Sequence, residues 1–137
     1  MQRLFADTFY WIALLYRRDP WHPRVTTFSN TLTDEDIVFT TETAFTELLA
    51  ALSAAGPYLR AEAVTLVEGL LNDVDVRVVE VTRAWFLEGL ALYRARPDKA
   101  YSLTDCISMQ VMRREGLTDV LTNDHHFTQE GFHILFG

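Results

Sequence analysis

The sequence contains a single cysteine, Cys106, so it has neither a disulfide framework nor the clustered thiols of a zinc knuckle. It also lacks low-complexity tracts, linkers and internal repeats. Its apolar runs are interrupted by Arg, Glu or Asp well before the roughly 18 residues that a membrane span requires, and the N-terminus lacks the apolar stretch of a signal peptide. We therefore expect residues 1–137 to form a single cytoplasmic domain with no membrane segment.

Basic residues are also scarce, because 12 Lys and Arg stand against 19 Asp and Glu, which gives a net charge of −7. This balance argues against a protein that coats nucleic acid non-specifically, since the phosphate backbone would be repelled. It does not argue against an enzyme whose acidic residues bind a divalent cation, because the cation reverses the local field. The hydrophobic fraction of 49% is enough for one core without disulfides or a structural metal.

Strand and helix patterns alternate along the chain, and most of the predicted helices end at Gly or Pro. The predicted strands cover residues 3–7, 37–41, 76–81, 120–121 and 132–136. The predicted helices cover 9–16, 25–32, 43–54, 59–71, 85–94 and 103–114, with a helical turn at 126–130. This alternation predicts an α/β fold with a parallel sheet of about four to five strands. In such sheets the site lies beyond the carboxyl ends of the strands.

Four acidic residues fall where this topology would bring them together, namely Asp7, Glu47, Asp105 and Asp124. Asp7 and Asp124 follow predicted strands, and a cluster of like charges is costly unless a cation neutralises it. Capping is the competing explanation for the three aspartates, because they lie near predicted helix starts. Glu47 lies at the rim of an apolar helix face, where an exposed glutamate with no role in a metal site would also be ordinary. Asp105 has no basic residue four positions away on a largely apolar face, so a cation would be a natural partner.

Four blocks of sequence carry these acids. They are Phe5-Ala6-Asp7-Thr8, the segment Thr40-Thr41-Glu42-Thr43-Ala44-Phe45-Thr46-Glu47-Leu48-Leu49, Ser102-Leu103-Thr104-Asp105-Cys106-Ile107-Ser108-Met109, and Leu121-Thr122-Asn123-Asp124-His125-His126-Phe127 with Gly131-Phe132. In this order and at these separations they resemble the PIN-domain family, and particularly its VapC-like members. The resemblance runs from one end of the chain to the other.

The resemblance implies a PIN-like three-layer α/β/α fold and an endoribonuclease that depends on Mg²⁺ or Mn²⁺. In such an enzyme metal-activated water attacks the RNA phosphodiester and leaves a 5′-phosphate and a 3′-hydroxyl. The residues that match the family's acidic quartet by position, as metal ligands and catalytic groups, are Asp7, Glu47, Asp105 and Asp124.

Glu42 is the alternative to Glu47 as the helical acid of the quartet, because both stand in the same block. Glu47 is preferred because it precedes the Leu pair, as the family's helical acid does. Thr8 and Thr104 adjoin two of the acids, and they are expected to hold a water or a phosphate near the metal, or else to act as local caps. His125 and His126 are adjacent in a turn and point different ways, so we expect His126 to pack the last helical turn rather than to act in catalysis.

The family resemblance also implies an RNA substrate, a small antitoxin partner and a homodimer. The loop from Asp19 to Arg24, with Trp21 expected to be exposed, is the predicted docking surface for the antitoxin, and Trp21 could instead stack on RNA bases. A receiver-type signalling domain does not fit, since the chain lacks an acidic pair after strand one and a Lys after the last strand. Two alternatives remain: a catalytically silent PIN-like interaction module and a free-standing housekeeping RNA-processing nuclease.

Overall fold

A sheet of five short strands forms the centre of the computed structural model, which describes residues 1–137. The strands are β1 (Arg3–Ala6), β2 (Ile37–Thr41), β3 (Val76–Val79), β4 (Asp119–Leu121) and β5 (His133–Ile134). Their order is β3-β2-β1-β4-β5, and every neighbouring pair is parallel. The first strand of the chain is therefore the central strand, and the predicted parallel sheet is confirmed.

Seven helices connect the strands and cover both faces of the sheet. They are α1 (Thr8–Leu15), α2 (His22–Ser29), α3 (Glu42–Ala51), α4 (Pro57–Leu71), α5 (Arg83–Ala95), α6 (Leu103–Glu115) and α7 (His125–Gln129). None of these helices is both long and apolar enough to cross a membrane. Leu4 and Ala6 of β1 pack with α1 to α4, whereas Phe5 packs with α5 to α7, as the alternation of side chains along a strand requires. The predicted three-layer α/β/α architecture is confirmed.

Helices α2 and α4 begin two or three residues earlier than the sequence predicts, and each has a proline in its first turn. α2 begins at His22 rather than at residue 25 and includes Pro23. α4 begins at Pro57 rather than at residue 59. Proline lacks an N–H group, but the first N–H groups of a helix have no partner within it, so proline is compatible with that position. β5 is shorter than the predicted 132–136, since its only neighbour, β4, has three residues.

Helices α5 and α6 approach each other closely at Gly89. This glycine is buried in α5, and a Cβ at its position would overlap the side chain of Ile107 in α6. The missing side chain lets the two backbones come together. The contact fixes α6, the helix that carries Asp105, against its neighbour.

Glu130 connects three helices on the same face of the sheet. Arg96 at the end of α5 donates from Nε to Glu130 Oε2 at 2.8 Å, and Arg113 of α6 donates from Nη2 to Oε1 at 2.7 Å. The Tyr101 hydroxyl donates to Oε2 at 2.9 Å. Burial by itself would raise the pKa of Glu130, but these hydrogen bonds outweigh it and lower the pKa to about 2. Because Glu130 caps the C-terminus of the short helix α7, the cluster holds that helix against α5 and α6.

Replacing Glu130 with Gln should lower the free energy of unfolding at neutral pH by about 1–3 kcal/mol, less than for a fully buried pair because water reaches both arginines. The carboxylate's contribution is present above its ordinary pKa of 4.5 and is lost as the pH falls towards about 2. Urea unfolding should therefore show a difference between wild type and variant that shrinks in acid. Glu88→Gln is the matched control, since its contact with Arg114 is exposed and 3.8 Å long. Equal losses in the two variants would contradict the prediction.

Candidate active site

The register between β1 and β4 brings residues from the two ends of the chain together. Ala6 pairs with Leu121, so the next residues, Asp7 and Thr122, leave the sheet side by side. The Thr122 hydroxyl donates to Asp7 Oδ2 at 2.9 Å, and both residues are buried. The same hydroxyl accepts from the Asp124 backbone N–H at 3.2 Å. Thr122 thus connects two of the predicted acids. Thr122 was not singled out from the sequence, although the residue directly follows strand β4 and a pairing of β4 with β1 would have placed it beside Asp7.

Glu47 reaches the site from the other side of β1. Thr41 ends β2 and caps α3 by accepting from the Ala44 N–H at 3.1 Å, so α3 starts at the same edge of the sheet. The Thr8 hydroxyl then donates to Glu47 Oε1 at 2.9 Å. Glu47 contributes to the electrostatic environment of Asp7 as well. Thr8 therefore holds Glu47 in place, whereas its predicted contact with a water or a phosphate stays a prediction.

Glu42 and Thr104, two other residues considered from the sequence, lie outside this arrangement. Glu42 is exposed and accepts from the Val81 N–H at 2.9 Å, which ties α3 to the loop after β3. Thr104 is half-buried near the start of α6, and its hydroxyl forms no hydrogen bond with the other site residues. Glu47 is thus the helical acid next to Asp7.

Asp105 lies in the first turn of α6, where it completes the capping box of Ser102, and it also faces the site. Its N–H donates to Ser102 Oγ at 3.0 Å, and its Oδ2 accepts from the Ser102 N–H at 3.0 Å, which completes a capping box. Ser102 is therefore a polar partner of Asp105, as the capping explanation requires, although no Lys or Arg pairs with this carboxylate. Its Oδ2 nevertheless remains 3.5 Å from Nδ1 of His126, and its side chain is only 14% exposed. Capping and membership of the site are thus combined in one residue.

Asp124 caps α7 and positions His126. Asp124 Oδ1 accepts from the His126 N–H at 2.9 Å, and His126 Nδ1 lies 3.3 Å from the same oxygen. Ligand atoms of Asp105, Asp124 and His126 all lie within 4.8 Å of one another. The sequence predicts only a packing role for His126, so its place in the site was missed. The local pattern that could have indicated the position of His126 is an N-cap Asp followed two residues later by His.

Trp21 is not the exposed aromatic residue that the sequence predicts. Its ring is half-buried and packs edge-on against Phe9 and Phe136, with centroid distances of 5.5 and 6.4 Å. The Arg24 guanidinium covers the Trp21 ring at 4.7 Å from its centroid. The ring is therefore part of the packing around α1 rather than a free platform for RNA bases.

The electrostatics of the site differ from those of an ordinary surface cluster. Burial first, and then repulsion from Asp105, raise the pKa of Asp7 to about 7, against the hydrogen bonds from Thr122 and the Thr8 backbone. Burial also raises the pKa of Asp105, and the charge of Asp124 adds to this rise. No Lys or Arg pairs with Asp7, Glu47, Asp105 or Asp124. Carboxylate oxygens in this setting, together with the buried and unbonded His126 Nδ1, form a donor set that fits a small divalent cation.

Comparison with known proteins identifies the family and the fold. The family model of the PIN domain matches residues 4–132. VapC20 of Mycobacterium tuberculosis, described as a sarcin-ricin loop cleaving toxin, has a TM-score of 0.82 at 24% identity, with 94% of this chain and 95% of that chain covered. No curated protein sequence matches the chain significantly.

Two further solved structures share the fold at lower identity. FitAcB of Neisseria gonorrhoeae has a TM-score of 0.62 at 16% identity, covering 96% of this chain and 95% of that chain. VapBC2 of Rickettsia felis, bound to a DNA fragment from their promoter, has a TM-score of 0.61 at 9% identity, covering 98% of this chain and 97% of that chain. At these identities the likeness establishes the fold.

Replacing Asp7 with Asn should raise thermal stability in EDTA, because the variant lacks a carboxylate whose ionisation the fold opposes. Since the folded pKa lies above the ordinary value of 3.8, ionisation costs the wild type stability progressively as the pH rises towards 7. The variant's advantage should therefore be small at about pH 4.5 and reach about 1–3 kcal/mol at about pH 8. Asp119→Asn, in β4 but at the opposite end of the strand, is the control. An advantage that does not change with pH would be the contrary result.

Proposed function

Because the chain belongs to the PIN-domain family, we propose that it is an endoribonuclease that depends on Mg²⁺ or Mn²⁺ and serves as the toxin of a type II toxin–antitoxin pair. The observation that carries the proposal is the convergence of four carboxylates at the carboxyl edge of the sheet with no Lys or Arg partner. Asp7, with its raised pKa, is the deepest of them. Burial and mutual repulsion disfavour the ionised carboxylates, and a bound cation relieves both, so such a cluster favours cation binding.

The four carboxylates would hold the cation, and their burial sets their roles. A bound divalent cation supplies charge neutralisation at the phosphate and an activated water. Asp7 is buried and oriented by Thr122, whereas Asp124 is 34% exposed, so the scissile phosphate would approach from the Asp124 side. Thr8 keeps the Glu47 carboxylate aimed at the site. In the hydrolysis, oxygen from water bonds to phosphorus, the bond to O3′ breaks, and O3′ takes a proton.

The substrate we propose is an unpaired or looped RNA segment. With a net charge of −7, affinity for generic RNA should be weak, so recognition must come from a particular loop or sequence. The likeness to VapC20, described as cleaving the sarcin-ricin loop, supports a structured RNA loop as the first substrate to test. The enzyme would act in the cytoplasm.

Two surfaces with exposed apolar side chains support protein partners. A groove beside the loop 19–24 is lined by Leu14, Leu15, Tyr58 and Leu59 together with charged residues such as Arg17, Arg18 and Glu62, and Tyr58 is 73% exposed. We propose that the antitoxin docks there, and the likeness to VapBC2 and FitAcB supports such a partner. On the opposite layer, α5 exposes Phe86, Leu87 and Tyr93, and we propose this face for a homodimer contact.

RNA cleavage should require the site acids and a divalent cation. Wild type with Mg²⁺ or Mn²⁺ should cut a stem–loop RNA, and Asp7→Asn and Asp124→Asn should reduce the rate by about 100-fold or more. Asp119→Asn should cleave like wild type, because this residue lies at the far end of β4. The cleavage rate is measured on a gel from the appearance of RNA fragments with 5′-phosphate ends. A folded, metal-binding wild type that leaves all RNA intact would favour the silent interaction module.

Growth arrest distinguishes a toxin from a housekeeping nuclease. Expression of the wild-type chain alone should stop growth, whereas Asp105→Asn should be tolerated, because Asn can keep the capping box while it removes a carboxylate charge. Co-expression of a small protein encoded next to the gene should restore growth of cells with the wild-type chain. Harmless expression of a folded and metal-binding wild type would instead support a housekeeping RNA-processing enzyme.

A further inference from the structure

His126 has a buried ring nitrogen without a partner. Its Nδ1 atom is shielded from solvent and forms no hydrogen bond, although two carboxylate oxygens lie nearby. A buried polar atom left without a partner costs about 1–3 kcal/mol. A ring nitrogen that faces two carboxylates without a hydrogen bond to either is placed to share a cation with them.

The spacing around Nδ1 fits metal coordination better than hydrogen bonding. Nδ1 is 3.3 Å from Asp124 Oδ1 and 3.5 Å from Asp105 Oδ2. Neighbouring ligands of an octahedral cation with bonds of about 2.1 Å are about 3 Å apart. Three donor atoms with these separations can bind one cation after small movements of the side chains. The lone pair of Nδ1 is available when the ring proton is on Nε2.

The ring of His126 is held in this orientation by its neighbours. Its backbone N–H is bonded to Asp124 at the start of α7, and its ring packs edge-on against Tyr101 with a centroid distance of 5.3 Å. Tyr101 is buried and fixed by its hydrogen bond to Glu130. A ligand whose orientation is set before binding loses little conformational entropy when the cation arrives.

We propose that His126 is a nitrogen ligand of the divalent cation, next to Asp105 and Asp124, and that it makes the site prefer Mn²⁺ to Mg²⁺. This inference rests on the proposed function, since it concerns the cation of the same site. Imidazole nitrogen is a good ligand for transition metals, whereas Mg²⁺ takes oxygen ligands almost exclusively. The acidic residues alone would not discriminate between the two ions in this way. His126 is thus the residue that determines metal specificity.

Pulsed electron paramagnetic resonance of Mn²⁺ bound to the wild-type protein tests the proposal directly. The echo should be modulated by the nitrogen nucleus of a bound imidazole, and the modulation should disappear in His126→Ala and His126→Gln. Titration with each ion should show the ratio of Mn²⁺ to Mg²⁺ affinity falling about tenfold in both variants. His125→Ala is the matched control, since this neighbouring histidine is exposed and should retain both the modulation and the affinity ratio.

The outcomes separate this inference from the proposed function. Bound Mn²⁺ without nitrogen modulation in the wild type would overturn the assignment of His126 while leaving a carboxylate metal site in place. Equal affinity ratios in wild type and His126→Gln would overturn it as well. A wild type that binds neither ion would overturn the proposed function, and the inference with it. The wild-type spectrum decides the matter even if both His126 variants fail to fold.

Discussion

The parallel pairing of β1 with β4 is the constraint on which the rest of the site depends. Its register places Ala6 opposite Leu121, so that Asp7 and Thr122 emerge together at the carboxyl edge. A slip of one residue would turn the side chains of a strand to the other face of the sheet and would separate the Thr122 hydroxyl from Asp7. Because β1 is central, β2 delivers α3 and Glu47 from the other side of the same strand. Three of the four carboxylates, Asp7, Glu47 and Asp124, are thus positioned relative to one short strand.

Two buried carboxylates of this protein are in opposite electrostatic environments. Glu130 accepts hydrogen bonds from two guanidinium groups and a tyrosine, which keep it ionised and make it part of the connection between α5, α6 and α7. Asp7 receives only neutral donors and lies close to further acids, so its ionised form is disfavoured. Arg96 and Arg113 thus stabilise the fold at Glu130, whereas no Lys or Arg side chain pairs with Asp7. This difference supports the proposal that Asp7 binds a cation.

Local patterns of apolar and polar residues predict the parallel sheet, and the resemblance to the PIN-domain family implies the three layers and the set of four acids. The sequence does not predict the Glu130 cluster, since its partners are 17 to 34 residues away and no local pattern connects them. It misplaces Trp21, because proline in a first helical turn looks like a helix break. The orientation of His126 depends on the cap at Asp124, which becomes apparent only when α7 is folded against Tyr101. The metal ligands themselves remain predictions.

The central position of the first strand also governs the order in which the site is assembled during translation. Asp7 and Glu47 are synthesised early, but Asp105, Thr122 and Asp124 follow only after α5 has been made. Until β4 docks, one edge of β1 has no partner and the acidic cluster is incomplete. Under the function proposed above, a nascent chain would hold only part of the metal site and would cut no RNA before β4 docks.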